Sequence, residues 1–199
     1  MLKEFHRWVI GMDHKVWYYM NTRWHNPVLD IIIPFVRNQY FWAPLYLFLL
    51  IFMPYKFGKR GWMWCVCYLI AFTIADQVAV NVIKPFFHRL RPCNNPFLAQ
   101  KVHLLVECGS GLSFPSAHAS NHFAMGIFCA MTLGRKAKWV WPAAIAWAML
   151  VSFAQVYVGV HFPLDVTCGA LLGTTIGIVV GKVFNRYFDL SNEPSPSWQ

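Results

Sequence analysis

Apolar residues run along this chain in long blocks separated by short basic turns, a pattern that predicts helices crossing a bilayer. Five blocks approach the roughly 20 residues that a span requires: Tyr40–Tyr55, Gly61–Ile83, Ser116–Leu133, Trp139–Tyr157 and Pro163–Phe184. Ahead of them, residues 1–37 interleave Lys3, Arg7, Lys15 and Arg23 with Trp8, Trp17, Tyr18, Tyr19 and Trp24. That mixture predicts one or two helices lying at headgroup level. The tail from Ser191, SNEPSPSWQ, reads as flexible. The expectation is an all-α, polytopic transmembrane helix bundle of about five spans, built as a single domain over residues 1–199.

Composition narrows the class. The chain is 57% hydrophobic, 18% aromatic and only 13% charged, against about 45–50% apolar and about 25% charged in a soluble domain. The net charge of +9 suits an anionic phospholipid bilayer or a phosphorylated lipid. Nucleic acid fits poorly, because the basic residues are scattered between apolar blocks and form no continuous stripe.

Short-loop charge predicts orientation. Lys56, Lys59 and Arg60 fill one turn, Arg135, Lys136 and Lys138 another, and Lys182 and Arg186 close the last block. Five spans put these on one side, which the positive-inside rule makes the cytoplasm. Residues 84–116 and the turn before Pro163 then lie on the opposite face. The expected location is a cytoplasmic (inner) membrane, with the chemistry extracytoplasmic.

Basic residues are not required on that opposite face, yet KPFFHRLRPC places Lys84, His88, Arg89 and Arg91 there. Lys84 precedes Pro85, which predicts a helix break. In SFPSAHAS, Pro115 suits a first helical turn, so the backbone N–H groups of Ser116, Ala117 and His118 form an anion cradle. In VGVHFPLDV, Asp165 stands four residues after His161, within reach of one ring nitrogen. Ionisable groups at membrane depth are costly, and three clusters on one face imply a site.

Lys84-x6-Arg91-Pro92, Pro115-Ser116-Ala117-His118 and His161-x3-Asp165 together resemble the three signature motifs of the type 2 phosphatidic acid phosphatase family. The resemblance covers about residues 84–165. It implies a metal-independent lipid phosphatase without cofactor, in which His161 attacks phosphorus, His118 protonates the leaving oxygen and Asp165 orients His161. Lys84, Arg91, Ser116, Ala117 and Gln155 would hold the phosphate, with Arg89 and His122 supporting them. Two positions depart from the family. Ala117 replaces a glycine, and Ala154-Gln155 replaces Ser-Arg, so one cation is absent. Arg89, His88 or His122 could replace that charge. Undecaprenyl diphosphate is the first substrate expectation, followed by phosphatidate, phosphatidylglycerol phosphate and lipid A 1-phosphate.

Other readings compete. His118 and His122 have a zinc spacing that His161 or Asp165 could complete, but no glutamate lies between them and the neighbouring cations oppose a metal. A serine hydrolase built on Ser116 suits the cationic clamp less well than a phosphatase. The same cations could also serve a transporter or binder of anionic lipid. Asp76 and Gln77, inside the second block, are expected to face the bundle interior.

Two structural features complete the reading. Gly169, Gly173, Gly177 and Gly181 recur every four residues and predict close helix packing, within the chain or in a homodimer. Cys93 and Cys108, fifteen positions apart in the polar connection, form a candidate disulfide if that face is oxidising. Cys65, Cys67, Cys129 and Cys168 read as buried apolar side chains.

Overall fold

The computed structural model describes residues 1–190 and is helical throughout its regular elements. The expected tail, 191–199, lies outside the described residues. Seven α-helices follow in order: α1 (Leu2–Tyr18), α2 (Pro27–Arg37), α3 (Ala43–Gln77), α4 (Lys84–Phe87), α5 (Ala117–Leu133), α6 (Val140–Tyr157) and α7 (Pro163–Tyr187).

Local chemistry starts several of them. Asn26 caps α2 by accepting from the N–H groups of Val28 (3.1 Å) and Leu29 (3.0 Å), and Pro27 occupies the first helical position. Pro163 begins α7 in the same way. Ser116 caps α5, its Oγ accepting from the N–H of Ala119. Pro115 therefore precedes the cap, and the expectation that it sits in the first turn is corrected.

α3 holds most of the first two apolar blocks, whose outer ends fall in the short helical turns on either side of it. At Gly58 the backbone adopts φ 52° and ψ −128°, outside the helical region, and the chain doubles back. Gly61 then lies so close to the opposing arm that an added Cβ would stand 1.9 Å from the Met53 carbonyl oxygen. Only glycine allows both features.

Past α3, a π-helical turn (Val78–Ile83) carries the backbone on into α4. The predicted break at Lys84 is therefore displaced: the wider turn accommodates Pro85, which has no N–H to offer. The helix ends instead at His88, in the left-handed region at φ 44°.

By length and composition, three helical stretches among the described residues could cross a membrane: residues 39–94, which contain the Gly58 turn, 140–157 and 163–187. α5 has 17 residues and is the most enclosed helix, with residues from Ala119 to Thr132 buried along most of its length. α7 lies against it. A Cβ on Gly169 would meet the Ser116 carbonyl oxygen at 2.4 Å, and one on Gly173 the Ser120 oxygen at 2.1 Å. The same addition at Gly177 would meet the Ala124 oxygen at 2.7 Å. The glycine face is thus filled by α5 of the same chain, the first of the two alternatives that the spacing left open.

The basic turns gather at one end. Lys136 lies over the Phe57 ring, while Arg60 and Arg135 both reach Asp189, its carbonyl and its carboxylate respectively. At the other end, α4, the start of α5 and the α6–α7 turn come together. Helices α1 and α2 pack beside them. Asn21 bonds to the backbone of His103 and to the Tyr157 carbonyl, and Asp30 accepts from the Tyr157 hydroxyl at 2.7 Å. Cys65, Cys67 and Cys129 are buried and Cys168 is half-buried. Gln77 departs from expectation: it is exposed and bonds to Asn81 on its own helical face.

Candidate active site

His161 precedes α7 and is fully buried. Its Nδ1 faces Ser113 Oγ at 3.3 Å and Asp165 Oδ2 at 3.5 Å, and Nε2 makes no hydrogen bond among the described residues. Burial, aided by the charges of Arg91 and Lys84, lowers the imidazole pKa to about 4, despite the opposing hydrogen bond and charge of Asp165. The ring is therefore neutral near pH 7, with one lone pair available.

Asp165 is held from four directions. It accepts from Ser113 Oγ, from the Phe162 N–H at 2.8 Å and from Arg89 Nη1 at 2.7 Å, while facing His161. Its backbone carbonyl accepts from the Ser116 N–H at 3.0 Å. That bond commits one donor of the expected cradle. The first two N–H groups of α5, on Ala117 and His118, have no intrahelical acceptor and remain at the helix start.

The cations separate into two kinds. Arg89 also bonds to Asp13, whose other oxygen accepts from the Leu164 N–H at 2.7 Å, and its guanidinium lies 4.2 Å from the Phe162 ring centroid. Arg89 is fully engaged and cannot replace the absent charge at Gln155. Lys84 and Arg91 form no ion pair among the described residues. Both act electrostatically on His161, and Arg91 spends its Nε on the Gly111 carbonyl at 3.0 Å. The loop carrying Arg91 is closed by a Cys93–Cys108 disulfide, with Cα atoms 5.9 Å apart.

The remaining histidines also divide. His118 lines an apolar cavity of about 380 Å³, walled by the two arms of α3 and by α5. It is close enough to His161, Arg91 and Arg37 to feel their charges. His122 uses both ring nitrogens, one on the His118 carbonyl (2.9 Å) and one on the Tyr46 hydroxyl (3.2 Å). It is thus a support for the α5 start and not a spare cation. His88 is exposed at the end of α4.

Among the described residues, the cluster whose donor atoms could share one ion is His25, Asp30 and His103, outside this site. The zinc set drawn from His118, His122, His161 and Asp165 is not brought together. Asp76 bonds to Asn121 at 2.9 Å and lines the cavity.

Sequence reasoning missed Ser113, Asp13 and Arg37. Ser113 stood inside a quoted motif. Asp13 and Arg37 belong to the segment read as interfacial, where each carried a faint signal: a lone acid among basic residues, and a lone cation ending an apolar helix.

The PAP2 superfamily model matches residues 62–189. The chain belongs to that superfamily. A lipid A 4'-phosphatase of Bacteroides thetaiotaomicron is 33% identical over 156 residues, covering 75% of this chain and 67% of its own. The undecaprenyl-diphosphatase BcrC of Bacillus subtilis is 34% identical over 166 residues, covering 83% and 78%. Among solved structures, Aquifex aeolicus LpxE superposes with a TM-score of 0.64 at 29% identity, over 83% of this chain and 92% of its own. A PAP2-type phosphatidylglycerolphosphate phosphatase from Bacillus subtilis reaches 0.72 at 24% identity, over 90% and 87%, a likeness of fold. The PAP2 fold thus accounts for the all-helical bundle.

Proposed function

We propose that this PAP2 protein is a membrane lipid phosphatase that works without a metal, through a phosphohistidine on His161. The observation that carries the reading is the setting of His161: Nδ1 is held at Ser113 and Asp165 while Nε2 is free beside unpaired cations. A neutral imidazole so oriented is a nucleophile.

In the first step Nε2 bonds to phosphorus, the bond from phosphorus to the leaving oxygen breaks, and His118 gives that oxygen a proton. In the second, water attacks the phosphohistidine, His118 takes the water proton, and the P–N bond breaks to release inorganic phosphate. Lys84, Arg91 and the N–H groups of Ala117 and His118 bind the non-bridging oxygens. Phosphoryl transfer depends mostly on positioning and charge stabilisation, which these groups supply.

The apolar cavity beside His118 suits a lipid tail entering from the bilayer, with the headgroup at the cations. A polyprenyl diphosphate such as undecaprenyl diphosphate remains the first substrate, and the lipid A 4'-phosphatase likeness makes a phosphorylated lipid A the second. The positive-inside rule puts the site on the extracytoplasmic face of the cytoplasmic membrane.

Purified protein in detergent with EDTA is expected to release phosphate from one of these lipids, and His161→Ala to release none. Binding without release overturns the reading in favour of a lipid binder. Release that requires added zinc overturns its metal-free form.

A further inference from the structure

Gln155 lies on α6, is completely buried, and occupies the position where the third motif lacks its cation. Its Oε1 accepts from Arg37 Nε at 3.1 Å, across 118 residues of sequence. Its amide Nε2, buried as well, has no hydrogen-bond partner among the described residues. Leaving such a donor unpaired is costly, so a protein that keeps one is expected to supply an acceptor at some stage.

Arg37 ends α2, whose remaining residues are apolar except Asp30. A cation at that place in an interfacial helix would ordinarily turn to lipid headgroups. Here it is half-buried and turned inward, among the site's charged groups. It forms no ion pair among the described residues, and the neighbouring charge acting on it is another cation, Arg91. Of the charged groups acting on His118, Arg37 is the strongest. Arg91 thus stands between Lys84 and Arg37, and none of the three has a carboxylate at ion-pair distance among the described residues: Asp165 acts on Lys84 and Arg91 only from farther away, whereas Arg89 nearby is paired with two. Cations crowded in this way repel one another until an anion joins them.

The approach of α2 is fixed by the same helix that carries Gln155. The Tyr157 hydroxyl donates to Asp30 and accepts from the Asn26 N–H at 3.1 Å at the start of α2, while Gln155 holds Arg37 at its end, so α6 grips both. With Nε spent on Gln155, Arg37 still offers the four N–H bonds of its two terminal nitrogens, a fork suited to phosphoryl oxygens.

We propose that Arg37 is a phosphate-binding residue of this site, supplied from the N-terminal segment, and that Gln155 positions it while donating its own free amide to the same phosphoryl group. The proposal rests on the phosphatase reading and adds to it the cation that the third motif lacks. It also makes residues before the matched region 62–189 part of the active centre.

The test compares Arg37→Gln, Arg37→Lys and the exchange variant Arg37→Gln/Gln155→Arg in detergent with EDTA. Binding of inorganic phosphate is measured by calorimetry alongside turnover. Arg37→Gln is expected to lose about 10²–10³-fold in kcat/KM and at least tenfold in phosphate affinity. Arg37→Lys should fall between, keeping the charge but not the fork. The exchange variant should recover most of the loss, which a merely structural role for Arg37 would not permit. If Arg37→Gln turns over within about twofold of the wild type while His161→Ala is silent, the Arg37 assignment fails and the phosphatase reading stands. If the wild type releases no phosphate, the phosphatase reading fails, and unchanged phosphate affinity in Arg37→Gln then overturns the Arg37 assignment too. Should Arg37→Gln elute as aggregate, the lysine and exchange variants decide by the same measurements.

Discussion

Arg89 donates to Asp165 at 2.7 Å, joining the loop after α4 to the first turn of α7. Arg89 also bonds to Asp13 in α1, so one guanidinium ties three distant segments around the histidine pocket. The carboxylate facing His161 is therefore part of a buried charge network that holds it in place.

Asp165→Asn should accordingly damage both activity and stability. The amide cannot accept from Ser113, Phe162 and Arg89 together while facing His161. Loss of an orienting carboxylate costs on the order of 10²–10⁴-fold in kcat. Leaving Arg89 short of one partner costs roughly 3–5 kcal/mol. Steady-state kinetics and thermal unfolding in detergent check the two parts, and a variant with wild-type kcat would remove Asp165 from the mechanism.

The pH dependence follows from His161. Its folded pKa of about 4 lies below the ordinary value of 6.5. The unfolded chain binds the extra proton first, so the stability contributed by the neutral ring is complete above pH 6.5 and declines as pH falls towards 4. The span corresponds to roughly 3 kcal/mol. His161→Gln should flatten that part of the curve of unfolding midpoint against pH. An unchanged slope would mean that another group titrates there.

Helix approach can be tested at one carbon atom. Gly173→Ala would place a Cβ 2.1 Å from the Ser120 carbonyl oxygen, forcing α7 away from α5. A loss of about 1–3 kcal/mol or more is expected, read as a lower melting temperature. Gly11→Ala, with nothing within 4 Å of the added carbon, should be neutral or slightly stabilising. Equal behaviour of the two variants would contradict this packing.

The lateral cavity gives a substrate-length prediction. Ala43 is exposed and lines it, so Ala43→Trp should narrow the slot without disturbing the core. For a long-chain lipid phosphate KM should rise about tenfold, while a short, water-soluble phosphate ester should be affected little. Equal changes for both substrates would show that the tail lies elsewhere.

Much of this protein is legible in local sequence. The apolar blocks, the proline and serine helix starts and the glycine repeat are set by residues within a turn or two of one another. Hydrophobic burial and unpaired backbone donors act at that range whatever the rest of the chain does. Gly58 shows the same: its positive φ allows the turn that the basic residues around it announced. The residue types needed for phosphoryl chemistry were visible for a similar reason, because their motifs lie at helix ends.

Tertiary structure decided how those charges are used. Arg89 and Arg91 are two positions apart and chemically alike, yet one is neutralised by Asp13 and Asp165 while the other stays unpaired. Arg37 joins the site only because α2 folds against α6, 118 residues away in sequence from its partner Gln155. The glycine repeat could have met any helix, and α5 fills it. Coulomb attraction and hydrogen bonding depend on distances through space, and linear spacing leaves those distances undetermined.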